Sequence, residues 1–171
     1  MICPSCGYQN LPGTDECSKC MFDLTSLDRP EGHDRVESSV MVDTVGSLNP
    51  KAPVTIASGA LLGDALQLMV DQEIGALLVV DGNGRLVGIL TERDYLMKVV
   101  GLIADYPHKP LLPIMTPSPE TVKADDKIAF ALQKMDIGGY RHLPVVSEGR
   151  PVGIISVRDV IKHITRLCKD T

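Results

Sequence analysis

The sequence contains no tryptophan and only four tyrosines and two phenylalanines, so side chains on which nucleic-acid bases could stack are scarce. It also lacks an excess of basic residues, because 17 lysines and arginines against 22 acidic residues give a net charge of −5. That balance argues against non-specific binding to nucleic acid or to anionic membranes. No apolar run approaches the ~20 residues of a membrane-spanning helix, and the first residues lack the charged-then-apolar order of a secretory signal. These absences predict a cytoplasmic protein that binds no membrane and for which nucleic acid is a disfavoured partner.

Four of the five cysteines occur near the start of the chain, as the C-x-x-C pairs Cys3/Cys6 and Cys17/Cys20. Each short turn points two sulfurs at one centre, and two turns complete a tetrahedral set of thiolates, which is typical of structural zinc. The segment has too few apolar side chains for a core, so a bound metal would supply its folding free energy. Residues 1–24 are therefore predicted to be a zinc ribbon, similar to the short ribbons of bacterial and archaeal proteins.

Two other interpretations of the cysteines are less favourable. Disulfides are disfavoured in a reducing compartment, and a redox C-x-x-C needs a surrounding βαβ pattern that this segment lacks. Four thiolates leave no open position for catalysis at the metal. The polar residues 25–38, which include Pro30 and Gly32, are predicted to be a linker, and His33 within it is expected to be solvated.

From residue 39 onward the chain is an internal repeat. The extended pair Thr55-Ile56 recurs as Thr121-Val122, and after one deleted turn residue the stretch Gly88–Asp94 recurs as Gly153–Asp159. Periodicity predicts a β-α-β-β-α plan twice, hence an α/β (α+β) fold with repeats at 39–105 and 106–171.

Apolar residues at helical spacing mark the helices of each repeat. Asp125 is expected to cap or begin the first helix of the second repeat. Cys168 is expected to be buried, and His163 is expected to lie on the surface. The last helix of the first repeat is expected to bury the following side chains: Tyr95, Leu96, Met97, Val99 and Val100.

The recurring stretch carries the candidate chemistry. Thr91 or Ser156 would begin a helix, with Asp94 or Asp159 three residues later, which is also an ordinary cap worth ~1 kcal/mol without any ligand. A helix N-terminus attracts phosphate, and an aspartate can accept from ribose hydroxyls. Arg93 and Arg158, which precede the two aspartates, could donate to phosphate.

These residues resemble a tandem pair of CBS domains, the repeat that forms a Bateman module. The resemblance rests on Ile114-Met115-Thr116, on Tyr140–Val145 and on the two G-x-x-[T/S]-x-x-D stretches. It implies two units packed around a pseudo-twofold axis. The clefts between them would bind an adenosyl ligand such as AMP, ADP, ATP or S-adenosylmethionine. It also implies homodimers and a regulatory, non-catalytic role.

The resemblance further implies roles for individual residues. The adenine would be lined by Thr55, Ile56, Thr121 and Val122. Phosphate would be held by Arg141 and His142 beside Pro144, so the two clefts are expected to differ, with the Ser156–Asp159 copy favoured. Glu92, which has Val157 as its counterpart, would add a negative charge near the first cleft and weaken triphosphate binding there or recruit Mg²⁺.

The predicted function is therefore an adenosyl-ligand sensor that regulates an unidentified protein partner. The alternative is a constitutive adaptor that contacts protein or nucleic acid through its zinc ribbon and has non-functional clefts. An enzyme is disfavoured because no nucleophile–base pair and no open metal site is evident.

Overall fold

The structure, a computed structural model, describes residues 2–11, 13–24 and 35–169. The chain divides between residues 34 and 35 into two compact units. Most of the predicted linker, including His33, lies outside the described residues. Its last four residues, 35–38, are helical and belong to the larger unit.

The small unit consists of two matching cysteine turns. In the first turn, the Cys3 N–H donates to the Tyr8 carbonyl, and the Gly7 N–H donates to the Cys3 carbonyl, both at 2.9 Å. In the second turn, Cys17 and Met21 repeat both bonds at the same distance. The buried centre consists of cysteines and Leu24, whereas the other large apolar side chains of the unit are exposed. This unit therefore has almost no hydrocarbon core, as its composition predicts.

The larger unit contains five α-helices and six strands among the described residues. They are α1 (Arg35–Val42), β1 (Thr55–Ala57), α2 (Leu62–Asp71), β2 (Ala76–Val80), β3 (Leu86–Thr91), α3 (Glu92–Asp94), β4 (Thr116–Pro117), α4 (Ile128–Gly138), β5 (His142–Ser147), β6 (Arg150–Ser156) and α5 (Val157–Lys169). Short 3₁₀ turns cover Val45–Leu48 and Tyr106–His108, and a π-helix covers Tyr95–Val99. Every helix described is too short or too polar to span a membrane.

The strands form two sheets, one for each repeat. The first has the order β1-β2-β3-β4, with β1 parallel to β2 and the other pairs antiparallel. The second consists of antiparallel β5 and β6, and its counterpart of β1 is reduced to a single parallel bridge between Val122 and Val145. Each repeat thus has the predicted plan, with a shorter entry strand in the second.

The entry segments of the two repeats are exchanged. Thr116 and Pro117, which begin the second repeat, pair with Ile89 and Gly88 of the first. Reciprocally, Lys51 of the first repeat bridges Ile154 of the second through two backbone hydrogen bonds of 3.0 and 3.1 Å. Because the two contacts are equivalent, the repeats are related by a pseudo-twofold axis.

The cores follow the same division. The first repeat buries one face of α2 against β2 and β3, and the second buries α4 against β5 and β6. Between them, Ala76, Leu78 and Ile89 form a separate buried cluster against which Ile154 of the second repeat packs. The two sheets therefore contact each other through apolar side chains. The polar residues at the ends of the strands lie beside this contact.

The last helix of the first repeat differs from the prediction. After three α-helical residues the chain forms a π-helix, closed by a 2.9 Å bond from the Val100 N–H to the Tyr95 carbonyl. Tyr95 and Val99 are buried, but Leu96, Met97 and Val100 are 68%, 65% and 57% exposed. The prediction that these three are buried is wrong, because the wider turn directs only the pair four residues apart inward.

Three further predictions about single residues are wrong. Helix α4 begins at Ile128 after a Lys127 N-cap, so Asp125 neither caps nor begins it. Cys168 is exposed, because it lies near the end of α5 away from the core. His163 is only 6% exposed, because helix α1 covers that face of α5.

Candidate functional site

The four N-terminal cysteines converge on one point. Their sulfurs all lie within 4.8 Å of one another. The Sγ atoms of Cys3 and Cys20, and those of Cys6 and Cys17, are 3.6 Å apart. A tetrahedral ion with metal–sulfur bonds of ~2.3 Å needs sulfurs about 3.8 Å apart, whereas a disulfide needs about 2.05 Å. The cluster therefore matches a four-thiolate metal site and excludes two disulfides.

Polar groups surround one of these sulfurs. Both the Asn10 side-chain amide and the Lys19 backbone N–H donate to Cys17 Sγ at 3.5 Å. The side-chain oxygen of Asn10 in turn accepts a hydrogen bond from the Ser18 backbone N–H at 3.0 Å. Burial opposes ionisation of Cys17, but the surrounding donors outweigh it and lower the pKa of the thiol to about 6. These donors thus favour the thiolate of Cys17, which is the form that binds metal. At Cys6 the backbone bond from Tyr8 acts in the same direction, but burial and the neighbouring thiols outweigh it and raise the pKa to about 12.

The two recurring stretches bring each aspartate back to the start of its helix in the larger unit, and the first copy is a complete capping box, because the Asp94 N–H also donates to Thr91 Oγ1 at 3.4 Å. Asp94 Oδ2 accepts from the Thr91 N–H at 2.9 Å and from Thr91 Oγ1 at 2.6 Å. Asp159 Oδ2 accepts from the Ser156 N–H at 2.8 Å and from Ser156 Oγ at 2.6 Å. The capping interpretation is therefore correct for both copies, which leaves open whether the same groups also bind a ligand.

Each capping aspartate lies in a cleft. The Asp94 cleft has a volume of about 680 Å³ and contains Thr91, Arg93 and Asp94 of the first repeat. The Asp159 cleft has a volume of about 520 Å³ and contains Ser156, Arg158 and Asp159 of the second. Volumes of this size accommodate a nucleoside with a phosphate or amino-acid group.

Each cleft is completed by the opposite repeat. Opposite Asp94 lie the following residues of the second repeat: Thr116, Pro119, Glu120 and Gly139–His142. Opposite Asp159 lie the following residues of the first: Lys51, Ala52, Val54 and Glu73–Ala76. The exchanged entry segments produce this crossing, because they carry the start of each repeat to the other sheet.

Four residues line both clefts among those that the structure describes: Gly75, Glu92, Arg141 and His142. We call this set the shared wall. Burial lowers the pKa of His142, and Arg141 and Arg158 act in the same direction, while Glu92 and Asp159 oppose it. His142 is therefore uncharged near neutral pH, and the charges of the wall are those of Glu92 and Arg141.

The two aspartates differ in their surroundings. Asp94 is 8% exposed, and its Oδ1 forms a 2.6 Å ion pair with Lys98. Asp159 is half-buried, and its Oδ1 has no hydrogen-bond or ion-pair partner among the described residues. Only Asp159 therefore has a carboxylate oxygen available to a ligand without a change in the protein.

Comparison with known proteins decides the family. A sequence model of the CBS domain matches residues 45–101 and 111–166. The chain belongs to the CBS-domain family. The match confirms the predicted pair of repeats and the predicted fold class.

Several relatives of this CBS pair are similar in sequence. An uncharacterised 17.7 kDa protein of Acidianus ambivalens is 30% identical over 125 residues, covering 72% of this chain and 74% of that protein. The CBS domain-containing protein CBSCBSPB5 of Arabidopsis thaliana is 35% identical over 114 residues, or 67% of this chain. This chain spans about a fifth, 21%, of that Arabidopsis protein.

Solved structures of CBS pairs also match. The CBS-domain protein ATU1752 of Agrobacterium tumefaciens has a TM-score of 0.65 at 31% identity, covering 71% of this chain and 93% of that one. PAE2072 of Pyrobaculum aerophilum, solved with AMP, has a TM-score of 0.63 at 25% identity, covering 72% and 98%. The CBS pair of MJ0100, solved with 5′-methylthioadenosine and S-adenosylmethionine, has a TM-score of 0.64 at 27% identity, covering 70% and 98%.

Five residues predicted to bind ligand lie away from the linings of these two clefts. Thr55 and Ile56 are in β1, Val122 and Pro144 are buried, and the Thr121 carbonyl accepts from Lys134 at 2.9 Å. The neighbouring entry residues take their place at the clefts. The adenine-lining role of Thr55, Ile56, Thr121 and Val122 stays a prediction, and so does the ligand-binding role of Pro144.

Arg141 and His142 were predicted to favour the second copy, but as part of the shared wall they line both clefts. The sequence of one repeat could not show this, because each cleft combines residues of both repeats. Lys51, Glu120 and Tyr140 line the clefts without having been predicted as ligand residues. A search for polar residues just before each first strand would have found Lys51 and Glu120.

One serine–histidine pair was missed, because its members come from opposite ends of the CBS pair. Ser39 Oγ lies 2.8 Å from His163 Nε2 and donates to Asp43 Oδ2. Arg166, which can only donate, lies 3.1 Å from His163 Nδ1, so Nε2 carries the proton and donates to Ser39. His163 therefore cannot accept the Ser39 proton, and the group ties α1 to α5 rather than forming a nucleophile.

Proposed function

We propose that this protein is a regulatory sensor that binds an adenosyl ligand in the clefts of its CBS pair. The observation that carries the proposal is the placement of the two capping aspartates, Asp94 and Asp159, in clefts completed by the opposite repeat. The relatives solved with AMP and with S-adenosylmethionine support the ligand class. The Asp159 cleft is the first site proposed, because its carboxylate has a free oxygen.

The residues of the Asp159 cleft suit the parts of such a ligand. Asp159 accepts from ribose hydroxyls through Oδ1, and Ser156 provides a hydroxyl at the N-terminus of α5, a helix of 13 residues. Free backbone N–H groups and the helix dipole favour phosphate there. Arg158 and Arg141 provide planar donors for the same group. Thr91, Arg93 and Asp94 have the corresponding roles in the second site.

Regulation follows from the composition of the clefts. Each cleft contains residues of both repeats. A bound ligand therefore contacts both and stabilises the relative arrangement in which those contacts are made. A partner that binds one arrangement better would detect the ligand through that population shift.

The test is thermal unfolding of the full chain with AMP, ATP and S-adenosylmethionine. A ligand at 100 times its Kd should add about 2.7 kcal/mol to the free energy of unfolding. Asp159→Ala should reduce that shift sharply, whereas Asp136→Ala, an exposed change on α4, should leave it intact. Absence of a shift with all three compounds at millimolar concentration would contradict the proposal.

We also propose that the cysteine cluster holds a structural zinc ion. The supporting observations are the sulfur spacing, the hydrogen-bond donors around Cys17 and the lack of any other core among the described residues of the small unit. Metal analysis should give about one zinc per chain. Cys17→Ser should lose the metal, and Cys168→Ser, the matched control outside the cluster, should retain it. A metal-free, folded small unit would refute this assignment.

A homodimer formed through the CBS pair is a further part of the proposal, within a cytoplasmic setting. The supporting observation is the exposed apolar surface of the π-helix, which includes Leu96, Met97 and Val100. Sedimentation equilibrium should give twice the monomer mass. Leu96→Glu should lower that mass if this surface forms the interface, and a monomeric wild-type protein would contradict the dimer.

The alternative function is a constitutive adaptor. It is favoured by the exposed apolar side chains of the small unit, among them Leu11 and Met21, which suit an unidentified protein partner better than nucleic acid. In that case Leu11→Ser would abolish partner binding, and no adenosyl compound would change it. Binding of RNA in an electrophoretic assay would instead indicate a nucleic-acid adaptor.

A further inference from the structure

We infer that Glu92 is a charge-selectivity residue for both clefts and disfavours adenosyl ligands that bear more than one phosphate. This inference rests on the proposed function, because it concerns which members of the adenosyl class bind. It differs from the sequence expectation, which placed the effect of Glu92 in the first cleft alone.

The first observation is the position of Glu92 in the shared wall. Glu92 lines both clefts, whereas its counterpart Val157 lines only the Asp159 cleft. One carboxylate of the first repeat therefore faces any ligand in either cleft. The equivalent position of the second repeat is the uncharged Val157, so only the first repeat contributes a carboxylate at this position.

The second observation is how Glu92 is held. Its backbone N–H donates to the Gly75 carbonyl at 3.1 Å, which fixes the residue beside the start of β2. A Cβ atom added to Gly75 would lie 3.1 Å from Glu92 Oε2, so the glycine leaves the space that the carboxylate occupies. The carboxylate has no hydrogen-bond or ion-pair partner among the described residues, and its charge therefore remains available to act on a ligand.

The third observation is the charge of the rest of the wall. Arg141 is its one fixed positive charge among the described residues, and His142 is uncharged near neutral pH because its pKa is lowered. Glu92 therefore offsets Arg141, and the wall has no net charge to attract a polyphosphate. A monophosphate can still use Arg141 and a helix N-terminus, whereas each further phosphate adds repulsion from Glu92.

The experiment compares ligand selectivity of the full-length wild type with that of Glu92→Gln. Kd values for AMP and for ATP, each without and with Mg²⁺, are measured by isothermal titration calorimetry. In the absence of Mg²⁺, Glu92→Gln should tighten ATP binding by about fivefold and AMP binding by less than about twofold. The substitution is on an exposed side chain, so circular dichroism and thermal unfolding should show a normally folded protein.

Matched variants locate the effect. Glu73→Gln and Glu120→Gln remove acids that line one cleft each. In an Asp159→Ala background, where binding reports the Asp94 cleft, Glu92→Gln should still improve ATP over AMP, whereas Glu73→Gln should not. In an Asp94→Asn background the same should hold for Glu92→Gln, whereas Glu120→Gln should have no effect.

The outcomes separate two failures. If the ligands bind but Glu92→Gln leaves the ATP-to-AMP ratio unchanged, the selectivity inference is overturned and the sensor proposal stands. If Glu92→Gln weakens ATP only in the presence of Mg²⁺, Glu92 is a cation ligand rather than a repulsive group, which also overturns the inference. If no adenosyl compound binds any variant, the proposed function fails and the inference fails with it.

Discussion

Replacing each capping aspartate by alanine should separate stability from ligand binding. Asp94→Ala should destabilise the protein more than Asp159→Ala, although the two residues occupy equivalent positions of the repeat. Asp159→Ala should weaken ligand binding more. The reason is that the buried Asp94 has both oxygens occupied, by Thr91 and Lys98, whereas Asp159 uses one.

The magnitudes follow from the contacts. Loss of a capping carboxylate costs about 1 kcal/mol, which is the full expectation for Asp159→Ala. Asp94→Ala also removes the ion pair between Lys98 and a carboxylate that is 10% exposed, although Lys98 keeps its 2.9 Å hydrogen bond to the Ile114 carbonyl. Because Lys98 itself is 44% exposed, solvent compensates part of that loss, and the added cost is about 1–2 kcal/mol. The total for Asp94→Ala is then about 2–3 kcal/mol.

Urea denaturation of the full chain, followed by circular dichroism, measures these differences as shifts in the midpoint at constant slope. Lys98→Met is the control that retains the cap but removes the ion pair together with the Lys98 hydrogen bond to the Ile114 carbonyl, and it should cost about 1 kcal/mol. Equal losses for Asp94→Ala and Asp159→Ala would refute the reasoning. So would a Lys98→Met variant as stable as wild type together with a loss of about 3 kcal/mol for Asp94→Ala.

Three further changes have expected outcomes. The pKa of His142 is lower in the folded protein than its usual value of 6.5, so the unfolded chain binds more protons as the pH drops through that value, and the free energy of unfolding falls. His142→Gln should therefore reduce the difference in urea midpoint between pH 7.5 and 5.5, and an unchanged difference would contradict this. Gly153→Ala would place a Cβ 2.8 Å from Pro50 Cβ, so a loss of about 1–3 kcal/mol is expected in urea denaturation, and a neutral result would show that the entry segment yields. Met21 adopts a left-handed φ of 60°, so Met21→Gly should relieve about 1 kcal/mol of strain and slow metal loss to a chelator, whereas faster loss would argue against strain there.

Local spacing accounts for the features that were correctly predicted. The cysteine cluster follows from two C-x-x-C turns, and both turns close on themselves through bonds within six residues, such as Cys3 to Tyr8. The capping contacts join residues three apart, such as Ser156 and Asp159. Contacts of this range depend on neighbouring residues, so a pattern in the chain is enough to predict them.

Long-range packing explains the individual predictions that failed. His163 is buried because α1, more than 120 residues earlier, supplies Ser39 to its imidazole. The π-helix region exposes Leu96 and Val100, although their spacing from Tyr95 and Val99 is compatible with one helical face. Periodicity predicts that an apolar face exists but does not determine which element will cover it.

Taken alone, the sequence determined the two repeats, the CBS family, the four-cysteine cluster and the two capping aspartates, because each depends on residue types at short or regular intervals. The tertiary structure alone decided the composition of the clefts. Exchange of the entry segments carries Lys51 to the second sheet and Thr116 to the first, and it brings Glu92 and Arg141 of different repeats into one shared wall. No pattern within either repeat encodes that contact, because it exists only when the two sheets pack against each other.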